Sequence, residues 1–127
     1  MWTFTTDGFY SAVQDRNDKT RLVVRCRAKV DALNLIEWLG NHDLTSITMQ
    51  HTPEADYEWR LFIPRHAWAM YLIGATEKLD YPNFKDAVAE RQGLDRADIY
   101  HDVWHVMWEF QRDNADAEDA AHERQPG

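Results

Sequence analysis

His101 and His105 stand four residues apart in "YHDVWHVMW", the stretch from Tyr100 to Trp108. On a helix that spacing puts both imidazoles on one face, within reach of a single metal ion. A zinc-protease motif would need Glu directly after the first histidine. Here Asp102 stands there, shorter and differently placed for general-base work. A third ligand would have to come from His51, His66 or Asp102 itself. Ile99, Val103, Val106, Met107 and Phe110 recur at helical spacing as a core stripe, which leaves His101, His105 and Trp108 at its edge. The expectation is a structural helix edge carrying no metal and no other cofactor, with His101 and His105 as outside candidates.

The second group that could do chemistry is basic. Between Arg16 and Lys29 stand Arg16, Lys19, Arg21, Arg25, Arg27 and Lys29 against Asp18 alone, a local balance of +5. Guanidiniums two apart on a strand leave the same sheet face, so Arg25 and Arg27 belong together, and Arg60, on a strand of like alternation, can join them. Arginine with aromatic residues on an open sheet is how RRM-like domains hold single strands, but no RNP-type pattern is present and the whole chain is acidic. The competing readings are a solvated face with cross-strand ion pairs and an arginine-lined protein interface. Cys26 alternates with Leu22 and Val24 toward the core, the place of a structural thiol rather than a nucleophile. The five glycines are scattered, and no Gly-x-Ser-x-Gly elbow, phosphate loop or dinucleotide fingerprint occurs, which disfavours serine hydrolysis and nucleotide chemistry.

These residues need elements to position them. "FYSAVQD" and "RLVVRCRAK" read as a hairpin turning through "RNDKT", with Leu22, Val24 and Cys26 facing one side and Arg21, Val23, Arg25 and Arg27 the other. "VDALNLIEWLGN" reads as a helix capped by Asp31, stapled by Val30 and Leu35, and stopped at Gly40. "LTSITMQHT" and "DYEWRLFIP" form a second hairpin, with Tyr57, Trp59, Leu61 and Ile63 on one face. Helices follow at Trp68 to Leu79, after Asp80 and Pro82, and from an Asp95 cap, Gly93 separating the last two. Two β-β-α units predict an α+β fold: a four-stranded, mainly antiparallel sheet of ferredoxin-like layering, in the standard or a permuted order, with additional C-terminal helices on one face.

The 127 residues suit one domain over 1–112, followed by an acidic, flexible tail over 113–127 that holds five acids against Arg124. One cysteine excludes an internal disulfide and a cysteine-rich zinc module. No leader-like or membrane-spanning segment is visible, so a cytoplasmic location without membrane contact is expected. "TDGFYSAV", "ADYEWRLFIPR" and the run from "LDYPNFKDAV" through "RQG" to "VW" resemble a group of small uncharacterised proteins of actinobacteria and their phages. The resemblance covers most of the chain except the tail and implies a small accessory protein, with no activity or site residue attached. The expectation is therefore a non-catalytic protein-binding or regulatory module that uses Arg25, Arg27, Arg60 and Trp108. Nucleic-acid binding on the basic face is the alternative, and a metal-dependent enzyme at His101 and His105 comes third.

Overall fold

The computed structural model describes residues 1–124, and the chain falls into two compact units, the second beginning at Asn83. In the first unit the elements are β1 (Trp2–Thr5), β2 (Gly8–Gln14), β3 (Arg21–Cys26), α1 (Lys29–Asn41), β4 (Thr48–His51), β5 (Trp59–Pro64) and α2 (Arg65–Glu77). They build an α+β layer on one open sheet of order β1-β2-β3-β5-β4, antiparallel at every pairing.

The sheet thus has five strands, not the expected four. The extra strand is β1, where Trp2 and Phe4 alternate with Thr3 and Thr5. It pairs Trp2 with Ser11 and Thr5 with Gly8 across the two-residue turn Thr6-Asp7.

Period-two alternation determines what each strand buries. Tyr10 and Ala12 from β2, Leu22, Val24 and Cys26 from β3, and Leu61 and Ile63 from β5 form one buried face. Ala32, Leu35, Trp38 and Leu39 of α1, with Ala67, Trp68 and Tyr71 of α2, complete that core. Its centre is aromatic: the Tyr71 ring meets Tyr10, Trp38 and Trp68 at centroid distances of 5.7, 5.3 and 5.4 Å. Gly74 lets α2 approach α1, since a Cβ there would overlap the Trp38 ring.

The β1–β2 turn is tied to both helices. Tyr71 Oη donates to Asp7 Oδ2 at 2.7 Å and lies 2.8 Å from Thr5 Oγ1, while Asn34 Nδ2 donates to the Asp7 carbonyl at 2.8 Å. Asp31, expected as the cap of α1, instead sits buried inside the first turn and accepts from the Phe9 backbone N–H at 3.0 Å. Val30 is exposed, so the staple does not form. Gly40 stays helical, and the left-handed residue is Asp43.

In the second unit, α3 (Phe84–Gln92) and α4 (Leu94–Glu123) form a helical hairpin hinged at Gly93, whose φ of 98° suits glycine. Asn83, rather than Asp80 or Pro82, caps α3 by accepting from Asp86 N–H at 3.0 Å. Gly93 also takes the N-cap position expected of Asp95. Val88, Ala97 and Tyr100 are buried where the two helices meet, and Phe84 stacks on Tyr100. The stripe expected to face a core does not: Ile99, Val103, Val106, Met107 and Phe110 are all exposed. Of the acidic segment expected over 113–127, residues 113–123 are helical as the end of α4, and residues 125–127 lie outside the described residues. Among the described residues, no helix is long and apolar enough to cross a membrane.

Candidate binding face of the sheet

The sheet face turned away from α1 and α2 carries the alternate set of side chains. Register places Arg25 between Ser11 and Arg60, and Val23 between Val13 and Phe62. Arg25 Nη2 donates to Ser11 Oγ at 2.7 Å, and its guanidinium lies 4.6 Å from the Tyr57 ring centroid. The Arg27 guanidinium reaches the same ring at 4.1 Å and donates to the Asp56 carbonyl at 2.6 Å. Arg60 lies 3.6 Å from Asp56 Oδ1. Three of the four expected site residues are therefore brought together, Arg25 and Arg27 on the Tyr57 ring and Arg60 opposite Arg25 beside the Asp56 carboxylate.

Like charges directly opposite on neighbouring strands repel, and the aromatic ring and the Asp56 carboxylate are what offset that here. Tyr57, expected to point inward with Trp59, is buried instead beside the Arg25 and Arg27 guanidiniums. It precedes the first residue of β5, so the strand's alternation does not govern it. Trp59 is only partly buried. Its outer side is occupied by His51, stacked at 3.9 Å, and by the Lys29 ammonium at 5.3 Å.

Two flanks frame the arginines. At the β1 edge Phe4 stacks on Phe9 at 4.6 Å, and Trp2 meets Phe9 edge-on at 6.0 Å with most of its own surface exposed. These three aromatics were not singled out from sequence, though the alternation in "WTFT" before "TDG" was the available signal. At the β2–β3 turn Arg21 lies over Phe62 and bonds Asp15 Oδ2 at 2.7 Å.

The backbone N–H of Asn17 and the Arg21 guanidinium hold the Asp15 carboxyl below the usual carboxylate range. A depressed folded-state pKa contributes stability above the unfolded value of about 4, and that contribution is lost as pH falls through the folded value. Asp15→Asn should therefore lower the denaturation midpoint at neutral pH. The gap to wild type should close in strong acid. A gap that does not change with pH would contradict the assignment.

Cys26 is fully buried, and desolvation pushes its thiol up to about 12, which keeps it protonated and unreactive at neutral pH.

Trp108, the fourth expected residue, belongs to the second unit. It stacks with Trp104 at 6.3 Å and His105 at 5.9 Å, and Arg112 lies 5.0 Å from its ring. The two candidate histidines are engaged separately, His101 Nδ1 with Lys85 Nζ and His105 Nε2 with Glu109 Oε1, each at 3.0 Å. Among the described residues, no group of three or more His, Cys, Asp or Glu side chains is placed to hold a metal ion.

The chain matches no protein-family model, no curated protein and no solved structure at a significant level.

Proposed function

We propose that the protein is a small, non-catalytic intracellular binding module that takes an acidic protein segment on the face formed by Arg25, Arg27 and Arg60. The observation that carries this reading is the pair of guanidiniums, Arg25 and Arg27, on the Tyr57 ring, with Arg60 paired in register opposite Arg25 and one neighbouring carboxylate, Asp56. A planar guanidinium offers paired donors to a carboxylate and stays charged at every physiological pH. The surrounding rings limit its freedom before binding, which reduces the entropy lost on association. Residues 83–127 hold eleven acids against five bases, while residues 1–82 are nearly balanced. Most of the chain's net negative charge thus lies outside the sheet unit, and a cationic patch on that unit can act locally.

Permuted ferredoxin-like layering fits this reading. The order β2-β3-β5-β4 with α1 and α2 packed on one face is what two β-β-α units give, with β1 added at the edge. The resemblance to small actinobacterial and phage proteins supports an accessory role. Nucleic-acid binding is the second reading, favoured by the Trp2, Phe4 and Phe9 rings beside the arginines on the same open sheet.

Fluorescence anisotropy with a labelled oligoglutamate peptide and a labelled single-stranded oligonucleotide separates the two. Salt-sensitive binding of the peptide is expected, and it should be lost in the triple variant Arg25→Gln, Arg27→Gln, Arg60→Gln with the fold unchanged. Binding of the oligonucleotide alone would transfer the face to the second reading. Binding of both probes by the triple variant as tightly as by wild type would remove the face from consideration.

A further inference from the structure

We propose that α4 pairs with α4 of a second copy of this chain in antiparallel orientation, along the line Arg96, Ile99, Val103, Val106, Phe110 and Asp113. These positions are spaced alternately three and four apart, the seam spacing of a two-stranded coiled coil. Along this line Ile99, Val106 and Phe110 are 57%, 61% and 62% exposed, and Val103 and the adjacent Met107 are exposed as well. Only Ala97 and Tyr100 of α4 are buried among the described residues, so the greater part of this 30-residue helix has no packing of its own. Helices in proteins owe most of their stability to a packed apolar face. The five exposed apolar side chains present roughly 500 Å² on each chain, the size of the largest apolar patch on a typical monomer, which is often an interaction site. Two copies would bury about 1,000 Å², the lower range of a specific interface.

The charges at the two ends of the seam select the occupant and its direction. In antiparallel pairing with Val103 opposite the second copy's Val106, Ile99 faces Phe110, and Arg96 faces Asp113 at both ends. Parallel pairing would set Arg96 against Arg96 and Asp113 against Asp113. The antiparallel arrangement does bring Asp102 beside the second copy's Glu109 at the rim, where solvent and salt screen exposed charges. The seam is therefore self-complementary along its core, as a two-fold symmetric contact requires.

Sedimentation equilibrium on the full chain from about 1 to 100 µM should show a reversible dimer. Val106→Glu, at an exposed site where a helix-forming residue replaces valine, should leave the urea midpoint of the sheet unit, followed at its buried aromatic rings, unchanged and raise the dimer dissociation constant at least about tenfold. Arg96→Glu and Asp113→Arg should each weaken the dimer, and the two together should restore it. A monomer throughout this range would overturn the proposal, including the case in which only a basic helical protein occupies the seam. A dimer indifferent to Val106→Glu would also overturn it. A double charge swap no tighter than the single swaps would overturn the antiparallel register.

Discussion

Tyr71→Ala is expected to cost about 3–5 kcal/mol, a large share of the roughly 5–15 kcal/mol that holds a domain folded. Tyr71 is fully buried between three other aromatic rings, and its hydroxyl joins α2 to the β1–β2 turn through Thr5 and Asp7. Truncation empties the centre of the core and removes both polar ties at once. Burial raises the phenol's pKa well above its usual value, so it remains protonated and donates to Asp7 throughout the physiological range. Tyr71→Phe isolates the polar part and should cost about 1–3 kcal/mol. Urea denaturation of the three proteins measures both steps. A Tyr71→Ala midpoint equal to wild type would mean that this cluster is not the centre of the core.

Gly8→Ala is the second large effect, expected at about 3 kcal/mol from crowding. The methyl group would overlap the Asp31 side chain, whose carboxylate accepts the Phe9 N–H, so either β2 or α1 must shift. Hydrogen exchange should then quicken at Phe9 and along the paired strand β1. Unchanged exchange and stability in the alanine variant would show that the Asp31 side chain moves aside freely.

How much of this could be read from the sequence depended on what set each side chain's direction. Arg25 sits inside a regular strand, so alternation alone placed it opposite Leu22, Val24 and Cys26. Arg60 followed by the same logic, because β5 is equally regular. Tyr57 lies just before β5, and its place among the arginines follows from the bend of the chain, which no periodicity encodes. The α4 stripe teaches a different lesson. Its helical period correctly gave an apolar face, but a period carries no information about what covers that face, and Ile99, Val106 and Phe110 lie open. The first strand was legible in principle. Trp2 and Phe4 alternate with threonines ahead of a tight turn, a short signal that a four-residue strand barely sustains.

The borders of the sheet bear on how the molecule behaves in a crowded solution. An unpaired outer strand exposes a row of amide and carbonyl groups on which a foreign chain can extend the ladder, and that hazard grows with the length of the border. Here the order begins at β1 and ends at β4, each only four residues long. The β4 border carries the polar residues Thr48, Gln50 and His51, all exposed, and His51 is drawn onto the Trp59 ring. Neither border is long enough to template a stacked ribbon, which leaves association to side chains on the open sheet face and on the long helix.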